Sequence, residues 1–419
     1  MKRCFLLCLL LFPFASLQAY QTDRLQVSLL TVAPRSGHAY TIYGHTALRL
    51  YDPSQSIDDV FNWGTFDFDA PHFLYRFIRG ETDYFLSRYS YAQFLYAYQM
   101  SNATVMEQIL HLSPEGKELL LQKLSLNLQP ENRIYRYNFL FDNCTTRVRY
   151  LIEQSGSKLS YPPSTEKTTF RKLIHSCTET YPWMTFGIDL LIGSGADSLI
   201  SAQQEVFLPV KLAKAVTPLV ISSEQPLVAV PEPDVRLELW ESPLVVACFI
   251  LFVYLIVAVA GWMKRRPFKG WFAPLFLIAG AAGCLLAFMA AFSCHPCVSQ
   301  NWNLLWLHPL HFVAFAGYFF KKPFRFVTWY HRVNFVLLCG LLSGWHWLPQ
   351  RLNPADIPFI LCLIVASAAV LFGKKQREAT NPESRNQIRR VQYRNCSKIP
   401  RHCIYKQVLS YLCVDLAYH

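Results

Sequence analysis

Past Glu241 the chain changes character, and this change constrains it more than any other feature. Residues 243–261 (PLVVACFILFVYLIVAVAG) carry no charge. They are long enough to cross a hydrocarbon layer of about 30 Å as a helix. Further apolar segments follow at 271–292, 304–320, 334–348 and 357–373; the fourth contains Gly340, Gly344 and His346 and is the weakest. Five crossings entered from outside leave 262–270, 321–333 and the tail 374–419 on the inner side. Those stretches hold 18 Lys/Arg, whereas the outer loops 293–303 and 349–356 hold one. The asymmetry follows the positive-inside rule and favours five crossings over four or six.

The formal net charge of +12 suggests a nucleic-acid partner until the charges are placed. Residues 20–242 hold 19 basic and 24 acidic side chains, so the excess belongs to loops beside apolar segments. No basic face on a folded domain is visible, and no nucleic-acid partner is expected. At the other end, Lys2-Arg3 precede an apolar run to Phe14 and small residues to Ala19. This reads as a secretory signal over 1–19, which places 20–242 outside the cytoplasm. The expected organisation is a folded domain over 20–215, a Pro-rich linker over 216–242, the membrane segments, and a basic cytoplasmic tail from 374. The lipid bilayer is the one obligatory partner.

The folded domain reads as α+β. Leu25–Val32, His45–Tyr51 and Val60–Phe66 look like strands, and the turn residues after Asp52-Pro53 make the last two a hairpin. From about 71 to 128 the apolar spacing turns helical, with Phe73, Phe77, Phe94, Tyr98, Leu119, Leu120 and Leu124. A helix start is expected near Asp142, capped by Asp142 or Asn143, with Val148, Leu151 and Ile152 on its buried face. The pattern implies a small antiparallel sheet with helices packed on it.

Thirteen cysteines reduce to two in this domain, Cys144 and Cys177, either one disulfide or two free thiols. Cys144 stands at the expected helix start, where the dipole and unpaired N–H groups favour a thiolate and can line an oxyanion hole. Arg147 and Arg149 add positive potential one turn on. A thiol nucleophile needs a base, and Gly44-His45-Thr46 on the second strand offers one.

Three segments carry a resemblance: Tyr43-Gly-His-Thr-Ala-Leu-Arg-Leu, Phe61-Asn-Trp-Gly-Thr-Phe-Asp-Phe, and Pro130 through Arg147 ending in Asp-Asn-Cys-Thr-Thr-Arg. With WMTFGIDLLIG from Trp183 and Phe207-Leu-Pro, they resemble the bacterial lacto-N-biosidase N-terminal-type periplasmic domain family over roughly 24–215. That family's name comes from a neighbouring module and implies no glycosidase activity. The order strand-His, hairpin, helices, Asn-Cys at a helix start is also similar to circularly permuted papain-like thiol enzymes, the lecithin–retinol acyltransferase type being nearest. This second resemblance implies Cys144 as nucleophile and His45 as base. It puts a third polar residue on the next strand, best filled by Asn62, with Asp67 as substitute. Arg147 and Tyr43 are the expected substrate contacts. No cofactor or metal is implied.

Two other clusters compete. Cys294-His-Pro-Cys297 lies in an outer loop, where membrane thiol–disulfide oxidoreductases carry such pairs. His308 and His311, three apart in the third apolar segment, are polar residues inside a span. No P-loop, dinucleotide fingerprint, GxSxG or HExxH occurs. The sequence therefore points to an inner-membrane-anchored periplasmic thiol hydrolase or acyltransferase acting on an envelope amide or ester. The substrate would be an envelope small molecule, peptide or glycan. The alternatives are a non-enzymatic envelope assembly protein and an oxidoreductase using Cys294 and Cys297.

Overall fold

A computed structural model describes residues 24–35, 41–161, 167–223, 226–228, 238–264, 268–320 and 325–380. The expected signal segment and the tail beyond 380 lie outside the described residues. The chain forms two compact units. One is built from residues up to Val246 with Gly283–Leu304 and His346–Pro354. The other takes Ala247–Ala282, Leu305–Trp345 and the chain from Ala355.

The first unit is α+β around one antiparallel sheet. Its strands are β1 (Gln26–Val32), β2 (His45–Asp52), β3 (Ile57–Thr65), β4 (Asp83–Ser90), β5 (Val105–Leu110), β6 (Ile134–Arg136) and β7 (Val220–Ser223). They lie in the order β6-β4-β3-β2-β1-β5-β7. Between them run α1 (Phe73–Arg79), α2 (Tyr91–Met100), α3 (Pro114–Leu128), α4 (Pro130–Arg133), α5 (Cys144–Gln154), α6 (Phe170–Thr178), α7 (Pro182–Leu191), α8 (Ala202–Glu205) and α9 (Pro209–Ala215). The first three strands fall where alternation and turn chemistry put them. The sheet is larger than expected, because β4 and β5 interrupt the stretch that reads as helical. In β5 the alternation VMEQIL is disguised by an inward Glu107. That carboxylate is held by Arg49 at 2.9 Å, which also pairs with Asp58 at 2.7 Å and lies over the Tyr91 ring.

Both faces of the sheet are covered. One face packs Leu29, Leu48, Leu50, Phe61 and Trp63 against α3, α5 and α9. The other packs Leu30, Val32, Ala47 and Val60 against Phe94 of α2. A third cluster joins Leu140, Phe170, Leu173, Ile174 and Phe207. Beside it Arg171, 2% exposed, bonds Asp189 at 2.6 Å and Asp197 at 2.8 Å. Asn353 reaches the other Asp189 oxygen at 2.9 Å. Asn301 and Asn303 donate to the backbone carbonyls of Leu190 and Asp189. Residues 301–303 and 353 are thereby built into the α+β unit.

The helices α10 (Pro243–Met263), α11 (Ala273–Phe292), α12 (His311–Gly317), α13 (Arg325–Ser343) and α14 (Asp356–Thr380) complete the described chain; the second unit takes α10 from Ala247, α11 as far as Ala282, and α12 to α14. Among the described residues two helices, Pro243–Met263 and Gly270–Phe292, are long and apolar enough to cross a membrane; Asp356–Phe372 is a shorter apolar one. The expected third span, 304–320, is not one helix. Trp302–Leu305 is a 3-10 turn, Pro309 breaks the backbone ladder, and α12 starts only at His311. The expected fourth span, 334–348, is the second half of α13 and stops at Ser343, before Gly344. His308 precedes α12 rather than sharing its face. Both ring nitrogens of His311 are engaged, by Tyr330 at 2.6 Å and the Trp306 carbonyl at 2.7 Å.

Removing the Arg171 guanidinium takes the counter-ion from Asp197 and leaves Asp189 to His175 and Asn353 alone, which costs up to about 3–5 kcal/mol, the figure for a broken buried pair. Arg171→Met should therefore lower the thermal unfolding midpoint of the detergent-solubilised protein markedly. An unchanged midpoint would show that Asp189 and Asp197 do not need it.

Candidate active site

Cys144 is the first residue of α5, and Asn143 fixes it there. The Asn143 side-chain oxygen accepts from Thr145 N–H and Thr146 N–H, both at 2.9 Å. The Thr146 hydroxyl accepts from Asn143 N–H at 2.8 Å, completing a capping box. The Asn143 amide group donates to the carbonyls of Phe139 (2.8 Å) and Phe207 (2.9 Å), so the cap is locked to two other segments. The cap takes two of the first three helix N–H groups and leaves that of Cys144.

His45 opens β2. The preceding Gly44 has φ +75°, and a Cβ there would lie 2.5 Å from the Val32 carbonyl oxygen. Only glycine lets the chain enter the strand so close to β1. Asn62 on β3 is the diagonal neighbour of His45, and its Oδ1 lies 3.1 Å from His45 Nε2. The β3–β4 register shifts between Asn62 and Thr65. Within that irregularity Gly64 has φ +90°, and a Cβ would meet the Tyr137 ring at 3.4 Å and Cys144 Cβ at 3.8 Å. The bare backbone at Gly64 lets α5 bring its first side chain to the end of β2. There the His45 ring and the Cys144 sulfur come close enough to couple in charge. Thr46, the next residue of β2, donates its backbone N–H to the sulfur, and its hydroxyl bonds that of Thr145 at 3.1 Å.

Charge follows from this packing. Cys144 is 8% exposed. Burial pushes its thiol up, but the His45 charge, the Thr46 N–H and the Thr145 hydroxyl outweigh it and bring the thiol below its ordinary 9.0. For His45, burial opposes the charged ring, and the facing Cys144 sulfur with the Asn62 oxygen raises it above its ordinary 6.5. Burial and then the Cys144 charge raise the hydroxyls of Tyr135 and Tyr137.

The pair opens on a cavity of about 540 Å³. Its wall is aromatic, including Phe66, Phe73, Phe77, Tyr84, Tyr137 and Phe139, and His295 closes one side. Tyr43 is on this wall, edge-on to Phe139 with ring centres 4.6 Å apart. Arg147 is not among the lining residues. It grips Asp142 at 2.6 and 2.7 Å and lies over the Tyr135 ring, bracing the turn before α5. Asp67 is exposed and accepts from Asp69 N–H. Cys144 and Cys177 are free thiols, which removes the disulfide alternative.

Residues 12–176 match the family model described as the Lnb N-terminal periplasmic domain, and residues 236–378 match that of the Lnb transmembrane domain. The chain belongs to the Lnb family. Neither the curated proteins nor the solved structures contain a match. The protein is thus a membrane protein with a periplasmic N-terminal domain, which fits an inner-membrane location. The Lnb N-terminal match includes His45, Asn62 and Cys144. Of the two caps the sequence offered, Asp142 and Asn143, the structure uses Asn143; its bonds to the Phe139 and Phe207 carbonyls had no sequence signal. Gly64 had no sequence signal beyond an interrupted strand pattern.

A thiol lowered in this way is ionised above its own pKa and loses its charge as pH falls through it. Ultraviolet thiolate absorbance, taken as wild type minus Cys144→Ala, should therefore appear at a pH below 9.0 and move upward in His45→Ala. A midpoint at or above 9.0 in the wild type would contradict the pairing.

Proposed function

We propose that the periplasmic domain is a thiol hydrolase or acyltransferase of permuted papain-like arrangement, acting on an amide or ester of the cell envelope. The observation that carries this reading is the His45 ring, held by Asn62 and electrostatically coupled to the buried Cys144 sulfur. With Nε2–H donating to the Asn62 oxygen, the other ring nitrogen is the one free to take the thiol proton. The thiolate then adds to the carbonyl carbon, and the Cys144 N–H, left over by the cap, is the donor for the developing oxyanion. Collapse expels the amine or alcohol, which leaves with the proton from His45. Water or an acceptor amine, deprotonated by His45, then displaces the sulfur and frees the acyl product. The aromatic cavity suits an apolar acyl portion, and Tyr43 on its wall is the proposed contact. Arg147 serves through the turn it braces. The membrane part anchors this chemistry at the envelope, with five crossings and an inner tail as the proposed topology.

The oxidoreductase alternative has less support. Burial raises the Cys297 thiol, the opposite of what an attacking thiolate needs. The Cys297 carbonyl instead accepts from Gly193 N–H at 2.6 Å.

Iodoacetamide at neutral pH should label Cys144 in the full-length protein. His45→Ala should slow this by about tenfold or more, and Asn62→Ala by a smaller factor, because each removes part of the base assembly. Equal labelling of wild type and His45→Ala would remove the dyad.

A further inference from the structure

α1 stands apart in the periplasmic unit. Five of the seven residues in FLYRFIR are apolar, yet none is buried. Leu74 is 70% exposed and Tyr75 53%, with Phe77 and nearby Phe68 also exposed. A patch of this kind on a domain otherwise well packed marks a surface meant to be covered. Its charges are already answered from within the domain, Arg76 by Asp83 at 2.5 Å and Arg79 by Glu81 at 2.7 Å.

The neighbour of α1 says what covers it. The carbonyls of Phe77, Ile78 and Arg79 accept hydrogen bonds from the His295 ring (2.6 Å), the Ser293 hydroxyl (2.8 Å) and Cys294 N–H (2.8 Å). Ser293 directly follows Phe292, the last residue of α11, which lies in a segment long and apolar enough to span a bilayer. A helix bonded to the first three residues beyond such a segment sits where hydrocarbon gives way to headgroups, the level at which exposed apolar helices lie in a membrane.

We propose that α1 is immersed in the periplasmic leaflet of the bilayer and that the Cys144 cavity opens into lipid there. Phe68, Phe73, Leu74 and Phe77 belong both to this segment and to the wall of the cavity that holds Cys144 and His45. One apolar path therefore runs from the leaflet to the thiol. Resting on the thiol-enzyme reading, this means the substrate is an amphiphile entering sideways from the bilayer, and its apolar part arrives first.

The test uses the full-length protein in vesicles of phosphatidylethanolamine and phosphatidylglycerol. Benzoylphenylalanine at position 74 should, on irradiation, acquire the mass of a phospholipid, whereas the same group at exposed Leu126 on α3 should not. Absence of a lipid adduct at 74, or equal adducts at both positions, overturns the proposal. Independently, N-hexadecyl iodoacetamide dissolved in the vesicles competes with soluble iodoacetamide for Cys144. Tyr75→Glu, outside the cavity wall, should slow the membrane-borne reagent by about fivefold or more and leave the soluble one within about twofold, because a buried charge lifts the helix from the leaflet. Equal slowing of both reagents, or of neither, contradicts the lateral path. A Cys144 inert to iodoacetamide would sink the enzyme reading alone, and the cross-link would still decide where α1 lies.

Discussion

The site depends on the Asn143 carboxamide. Its oxygen holds two N–H groups of α5, and its amide group holds the carbonyls of Phe139 and Phe207. These four bonds are saturated and buried, so the helix start has one geometry and the Cys144 side chain one direction. The sulfur then meets an imidazole whose own position comes from the strand-end glycine at 44 and the Asn62 oxygen. Replacing any of these supports would leave Cys144 and His45 present but misplaced, and the proposed chemistry depends on their placement.

The same capping geometry that orients the sulfur also restricts the proposed mechanism. A free helix terminus offers several N–H groups to an oxyanion; here Thr145 and Thr146 have spent theirs on the cap. The donor set beside the sulfur is accordingly narrow, and the drive toward ionisation comes chiefly from His45 against the cost of burial. The aromatic wall intensifies this balance, since a low-dielectric cavity strengthens a paired charge and penalises an unpaired one.

Much of this was legible in the sequence, unevenly. The first three strands and the helix start at 143–144 follow from alternation and capping chemistry; the pairing of His45 with Cys144 is what the resemblance in motif order implies. β4 and β5 were hidden because Phe73/Phe77 and Phe94/Tyr98 are true helical pairs, of α1 and α2, and the short strands beside them were read as part of the same helical stretch, and because Glu107 breaks the apolar pattern for the sake of Arg49. The role of Asn301, Asn303 and Asn353 could not be read at all, since their partners lie more than a hundred residues away in sequence. Arg147 was chosen for its proximity in sequence to Cys144, but its nearest partner is the carboxylate of Asp142. The third apolar segment looked continuous by composition, and Pro309 divides it.

The account is tested most directly by mapping Cys144 after the full-length protein has been exposed to native envelope extract and quenched in acid. Mass spectrometry should find an acyl group on Cys144, removable by hydroxylamine as a thioester is, and absent from His45→Ala. Cys144 recovered wholly as a free thiol, in wild type and variant alike, would contradict it.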